Sequence, residues 1–379
     1  MRYLCLPPDS HRPHPVPADA RMRLLPDADA LRRLVDGSRR GPTAAVARGL
    51  LAGISLPYGA AVALRNAAYD HGVLRVSPAP VPVISVGNLT LGGTGKTPLV
   101  AWIARRFRDR ACRVAIVSRG YAARPGEPSD EAAELALVVP GVPHVADRDR
   151  VAAARTAARA GAQVVVLDDG FQHRRLARDL DVVVIDATDP FGCGHLFPRG
   201  LLREPVAAVK RADALVLTRA GAVSAQRRAA IKQTIAAAAG RLPDVWIETG
   251  HRPVGLRDRR GTTLGLEWLA GRRLVAFAGI GNPSAFHESL GRLGAPPITF
   301  LPFPDHHHYT AADIASLDGA ARAARAEVAV TTLKDLVRFP PEPLAVPVVA
   351  VEIALEPLGD AAPLERLLDD AVTAAGRRA

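Results

Sequence analysis

Residues 83–98 read VISVGNLTLGGTGKTP, and the fold follows from how this stretch is parsed. The apolar run 81–86 predicts a buried strand, Gly87-Asn88 end it, and 97–110 reads as a helix. Between them lies Gly92-Gly93-Thr94-Gly95-Lys96-Thr97. A glycine-rich turn between strand and helix is the setting in which such a segment cradles phosphate. Glycines let successive backbone N–H groups turn inward around phosphate oxygens, and the helix N-terminus adds the positive end of its dipole. Lys96 is then placed to reach the β- and γ-phosphates of a nucleotide, and the Thr97 hydroxyl to ligate Mg²⁺. The usual pattern has a glycine where this chain has Thr90, so a glycine-rich loop without a ligand is the competing reading.

Outward from that stretch the chain alternates strand and helix. Run 113–118 reads as another strand and 214–217 as one more, while 164–167 and 182–185 are nearly pure β-branched runs, as strands buried on both faces should be. The fold class is therefore α/β: a P-loop NTPase-like, mostly parallel sheet with helices on both faces. Glycines at 250, 255, 261 and 265 and short alternating stretches make 245–272 read as a β-rich connector. A second β/α set follows at 274–278, 298–302, 311–326, 328–331 and 348–353. The expected division is an N-terminal extension over 1–42, a P-loop domain over 43–245 and a smaller α/β domain over 246–379.

The 1–42 stretch is rich in Pro, Asp, Arg and His near its start and is expected to be disordered, with Met22 an alternative start. No charged-then-apolar secretion signal opens the chain. Cys5, Cys112 and Cys193 are far apart and odd in number, which argues against a disulfide framework and for a reducing compartment. The net charge of +11 favours anionic partners. Lys and Arg are scattered rather than interleaved with aromatics, which argues against a nucleic-acid surface.

The stretch 49–64 carries no charge, with Arg48 and Arg65 at its edges and Arg39 and Arg40 before it. Leu50, Ile54, Tyr58, Ala61 and Leu64 can share one helical face. Pro57 is expected to interrupt it, leaving it short of a comfortable membrane span. A helix packed on the core and a helix lying in a membrane interface both fit.

Run 164–167 ends in Asp168-Asp169, at the strand end where a P-loop fold places its Mg²⁺ partner. Loop or capping acids are the plainer alternative. Gly170-Phe171-Gln172-His173 set polar groups beside them. A hydroxyl acceptor also needs a proton acceptor. Asp130-Glu131 and the run Asp305-His306-His307-His308-Tyr309 are candidates, and a solvated loop or an adventitious metal site competes for the histidines.

The segments VISVGNLTLGGTGKTP (83–98), SRGY (118–121), Asp130-Glu131, LDDGFQH (167–173), RDLDVVVID (178–186), LLREP (201–205), ADALVLT (212–218), GIGNP (279–283), FPDHHHY (303–309) and TTLKD (331–335) resemble, in order, those of the tetraacyldisaccharide 4′-kinases, the lipid A kinases of Gram-negative bacteria. The resemblance covers roughly 45–355, and Thr90 is usual in that family. It implies transfer of the ATP γ-phosphate to the 4′-hydroxyl of an anionic, tetraacylated disaccharide 1-phosphate. It also implies peripheral (monotopic) contact with the cytoplasmic face of the inner membrane and an active site between two domains, with FPDHHHY supplied by the second. By motif, Asp130 and His306 look like a catalytic pair, with Lys96 on phosphate. Gly92 through Thr97 would hold ATP, and Thr97, Asp168, Asp169 and Glu131 would surround Mg²⁺. Arg150, Gln172, His173 and Arg203 would position nucleotide or substrate. Cys193 and His195 stand where Asn and Arg are usual, Ser129 and Ala132 where Gly and Pro are, and Leu333 where Glu is.

Two rivals from other classes remain. A P-loop nucleotide switch would need a guanine-reading Asn-Lys-x-Asp, which neither 217–220 nor 332–335 supplies. A nucleic-acid-stimulated ATPase is motivated by charge alone.

Overall fold

The structure is a computed structural model and describes residues 28–120, 129–305, 307–340 and 344–376. Twelve strands occur in it: β1 (Val83–Asn88), β2 (Val114–Ser118), β3 (His144–Ala146), β4 (Val164–Asp168), β5 (Leu180–Asp186), β6 (Ala214–Thr218), β7 (Val245–Asp258), β8 (Thr263–Leu264), β9 (Leu274–Ala278), β10 (Thr299–Pro302), β11 (Val328–Thr332) and β12 (Val348–Pro357). The helices are α1 (Ala28–Val35), α2 (Pro42–Asp70), α3 (Lys96–Asp109), α4 (Asp130–Val138), α5 (Arg150–Arg159), α6 (Ala225–Ala239), α7 (Pro283–Arg292), α8 (Ala311–Ala323), α9 (Leu333–Leu336) and α10 (Ala362–Gly376). The strands line up as β10-β9-β11-β12-β7-β6-β5-β1-β4-β2-β3, with β8 beside β7.

The apolar runs are continuous because successive side chains enter different cores. In β4, Val164 and Val166 pack under α3 and α4, while Val165 and Leu167 pack under α5. In β5, Val182 and Val184 join the first core, and Val183 and Ile185 a third one with α6. A strand covered on both faces leaves no polar position to alternate with.

The first half of the expected connector is one long strand. The first residues of β7 pair parallel with β6, from Ala214↔Val245 to Leu217↔Glu248. From Thr249 onward the same strand runs antiparallel to β12. β7 thus carries one sheet through both β/α sets.

Two expectations are corrected. Within the stretch expected to be disordered, Ala28–Val35 is helical. Val35 is buried, and its carbonyl accepts a hydrogen bond from Arg199 Nη1 at 3.0 Å, so distant contacts order what local composition would not. Pro57 does not interrupt α2, which runs unbroken for 29 residues. A proline removes one helical hydrogen bond, to the residue four positions back. Here that residue is Gly53, and both it and Pro57 are exposed.

β1 and β4 are neighbours, and their C-terminal ends open toward the N-terminus of α3. Open α/β sheets bind ligands at that edge.

Candidate functional site

Gly95 caps α3 in the left-handed region at φ +83°. A Cβ there would lie 3.0 Å from His251 Nε2, so both conformation and space demand glycine. Thr90, at the position where glycine is usual, forms an isolated antiparallel bridge with Leu202. The loop is therefore pinned in an extended form at that point and needs no glycine.

Asn88, at the end of β1, organises the loop. Its Nδ2 donates to Thr94 Oγ1 at 2.9 Å and to the Thr90 carbonyl at 2.8 Å. Its Oδ1 accepts from Lys96 Nζ at 3.1 Å, and its carbonyl accepts from Gln172 Nε2 at 2.9 Å. Sequence reasoning missed Asn88; its place at the strand end inside the matched segment was the available signal.

Lys96 Nζ also lies 3.3 Å from Asp169 Oδ1. Arg203 Nη1 reaches both oxygens of Asp169, at 3.0 and 2.8 Å, and Gln172 Oε1 at 3.3 Å. Lys96, Asp169, Gln172 and Arg203 are thus one cluster. Burial pushes the Asp169 carboxyl up, but Lys96 and Arg203 outweigh it and hold it at about 2. Asp168 behaves in the opposite way. It is buried, and desolvation, with help from Asp169 and Glu131 and against Lys96, pushes it up to about 7. Its Oδ1 is a buried acceptor with no protein partner.

That orphaned oxygen is what a divalent cation would satisfy. Among the described residues no three His, Cys, Asp or Glu side chains converge into a metal cage. Mg²⁺ does not require one, since it is commonly held by one or two carboxylates, waters and substrate phosphates. Thr97, in the first turn of α3, and Asp168 fit that donor set. Glu131 lies in the first turn of α4, and its charge is felt at Asp168.

Arg150 begins α5, which Asp149 caps, and is 7% exposed with its Nε unpartnered. His173 is pushed down to about 4, first by burial and then by Arg150, Arg178, Arg175 and Arg65. It is neutral at pH 7, and its Nε2 lacks a partner. Both side chains thus carry a buried polar atom that no protein group satisfies.

Asp130 opens α4, where Ser129 Oγ accepts the Ala132 N–H at 3.3 Å. His306, its expected partner, lies outside the described residues, as does Tyr121 of the SRGY segment. Asp130 Oδ2 accepts from Arg338 Nε at 2.5 Å. The second β/α set gathers its motifs into one polar node. Buried Asp335 accepts from Tyr309 Oη at 3.0 Å, Thr332 Oγ1 at 2.6 Å and the Gly279 N–H at 3.0 Å. A Cβ on Gly279 would lie 3.0 Å from Asp335 Oδ1, which accounts for that glycine. Lys334 Nζ donates to Asp305 Oδ1 at 3.2 Å. Leu333 is buried in the core, so its loss of charge is a packing choice. Sequence reasoning also missed Glu134, one turn beyond Asp130, whose carboxyl burial pushes up to about 7 against Lys334 and Arg338.

On α2, Leu50, Ile54, Leu56 and Leu64 are 56–75% exposed. Tyr58, expected on that face, points inward instead. Its hydroxyl donates to the Arg203 carbonyl at 2.9 Å, and its ring meets Phe197 edge-on at 5.8 Å. Ser55 Oγ donates to the Leu196 carbonyl at 3.1 Å, and Asn66 Nδ2 to Glu204 Oε2 at 3.0 Å. Among the described residues α2 alone is long and apolar enough to cross a membrane.

The chain matches the family model described as LpxK: Tetraacyldisaccharide-1-P 4'-kinase over residues 47–373. It is 43% identical over 321 residues to the tetraacyldisaccharide 4'-kinase of Anaeromyxobacter dehalogenans strain 2CP-C, covering 80% of this chain and 84% of that one. It is 41% identical over 334 residues to the enzyme of the same name from Syntrophus aciditrophicus, covering 81% and 89%. Among solved structures, LpxK from Aquifex aeolicus in complex with ATP superposes with a TM-score of 0.68 at 29% identity, covering 86% of this chain and 99% of that one.

Proposed function

Since the chain belongs to the tetraacyldisaccharide-1-P 4'-kinase family, we propose how its residues carry out that family's reaction. It is an ATP-dependent kinase of P-loop α/β fold. It phosphorylates the 4′-hydroxyl of a tetraacyldisaccharide 1-phosphate, a step of lipid A biosynthesis that yields lipid IVA. The observation that carries the assignment of roles is the pair of adjacent aspartates in opposite states. Asp169 is neutralised by Lys96 and Arg203, while Asp168 beside it keeps a buried, unsatisfied oxygen.

In this reading the 92–97 loop and the α3 N-terminus hold the ATP phosphates. Lys96 follows charge moving on the γ-phosphoryl group. Thr97 and Asp168 would hold Mg²⁺, with Glu131 and Asp169 in the surrounding acidic shell. Bound there, the ion would neutralise phosphate charge. The acceptor oxygen attacks the γ-phosphorus, the bond to the bridging oxygen of ADP breaks, and the hydroxyl proton passes to Asp130, paired with His306. Arg150, Gln172, His173 and Arg203 position the anionic groups. Residues 43–245 form the kinase unit and 246–379 a smaller unit contributing 303–309, with the reaction between them.

The family acts on a lipid A precursor at the membrane. The exposed apolar face of α2 supports a finer reading, a monotopic contact with the cytoplasmic face of the inner membrane. Its other face is hydrogen-bonded to the loops around Leu196 and Arg203, so the helix lies along the bilayer rather than through it. A nucleotide switch is not favoured: β6 ends at Thr218 and is followed by Arg219-Ala220, without the guanine-reading residues.

The test is transfer of labelled phosphate from ATP to purified disaccharide 1-phosphate in mixed micelles. Mg²⁺-dependent product is expected. Hydrolysis of ATP with no transfer under any detergent condition overturns the proposal.

A further inference from the structure

We propose that Arg338 is a positioning residue for Asp130. The inference rests on the reading of Asp130 as the group that receives the hydroxyl proton.

Arg338 is 1% exposed on its side chain, although it is a permanently charged residue. It is held from behind by the node that gathers the second β/α set. Its Nη1 lies 3.4 Å from the Gly279 carbonyl and 3.9 Å from Asp335 Oδ1. Asp335 is itself locked by Tyr309, Thr332 and the Gly279 N–H. From this fixed base Nε reaches Asp130 Oδ2 at 2.5 Å, across 208 residues of chain.

The choice of partner carries the point. The first turn of α4 offers two carboxylates, Asp130 and Glu131, and the guanidinium takes Asp130. Asp130 is 30% exposed, so its carboxylate is partly accessible to an incoming hydroxyl. A proton acceptor must lie within hydrogen-bond reach of one hydroxyl in one pose. Fixing its carboxylate before the acceptor arrives removes orientational freedom that the reaction would otherwise have to overcome. Arg338 does so from the turn after α9, in the second β/α set, which ties the geometry of the base to the seating of α9 against α4.

A clamp serving stability alone would predict something different. It would lower the melting temperature while leaving turnover of the folded enzyme intact. The two are separated with R338M, R338K, D130N and the double variant D130N/R338M. Each is checked by thermal melting and then assayed for kcat and for KM of ATP in mixed micelles. The proposal expects kcat of R338M to fall about 10- to 100-fold, less than the roughly 10²–10⁴-fold that a general base itself typically contributes, with KM for ATP within about twofold. R338K keeps the charge but not the Nε–H and should fall between R338M and wild type. In the D130N background R338M should cost less than about twofold, because residues acting as one unit do not add. Should R338M fail to fold, the cycle is run with R338K, whose smaller loss should likewise vanish in D130N. Unchanged kcat in the arginine variants, or a loss undiminished in D130N, overturns the positioning role. Wild-type kcat in D130N overturns the reading of Asp130 itself, so the two failures are distinguishable.

Discussion

Lys96 Nζ lies 3.3 Å from Asp169 Oδ1, joining the phosphate loop to the end of β4. With nucleotide bound, the same ammonium has phosphate oxygens to choose instead, and Arg203 remains to hold Asp169 at 2.8 Å. Lys96→Ala should therefore fold normally and lose charge stabilisation chiefly in the transition state. Its kcat should fall on the order of 10²–10³-fold. Near-normal turnover in labelled-phosphate transfer would remove Lys96 from the chemistry.

Asp168 gives a pH signature. Its folded-state carboxyl titrates at about 7, above its ordinary value of 3.8, because burial penalises the anion. Between those values the folded state holds a proton that the unfolded chain has released, so stability falls as pH rises. Below pH 3.8 both states are protonated and the effect vanishes; above about 7 it is complete. Asp168→Asn should therefore raise the melting temperature of the nucleotide-free protein at pH 8 and leave it unchanged at pH 3. Mg·ATP should stabilise wild type more than the variant, since a ligand bound only to the folded state adds stability by mass action. Equal gains at both pH values would contradict the buried-acid account.

Gly95→Ala meets two obstacles, a φ of +83° and His251 Nε2 at 3.0 Å from the new Cβ. Backbone strain of this kind costs of order 1–3 kcal/mol. The expected result is a lower melting temperature and weakened ATP binding by calorimetry, with secondary structure retained in circular dichroism. A variant that binds ATP as tightly as wild type would show that the loop can relax.

The two faces of α2 separate by mutation. Replacing Leu50, Ile54 and Leu64 with Ser removes exposed apolar area and should abolish vesicle flotation with little change in the melt. Tyr58→Phe deletes only the hydroxyl bonded to the Arg203 carbonyl. It should keep flotation and lower stability by about 1 kcal/mol. Unchanged flotation in the triple variant would place the membrane contact elsewhere.

Asp130 and His306 are expected to act as one unit. The double variant Asp130→Ala, His306→Ala should be about as slow as the slower single variant. Full additivity in kcat would mean that the two work separately.

Several strands, the phosphate loop and the helix after it were legible because each is written in consecutive residues. Leu274–Ala278 and Ala214–Thr218 announce themselves as short, largely apolar runs, and 92–97 brings its donors together by turning on glycines. Tertiary structure decided what depends on residues far apart in the chain. Asp168 and Asp169 are the same residue type side by side, and direct ion pairs from Lys96 and Arg203 to Asp169, against the burial of Asp168, separate their charge states. Periodicity gave Tyr58 the outward face of α2, and the Arg203 carbonyl drew it inward. The pairing of Asp130 with Arg338 spans 208 residues and has no local pattern at all. Local propensity reports which conformations a segment can adopt. Burial and ion pairing depend on which distant segment arrives beside it, and that is settled only when the sheet is assembled.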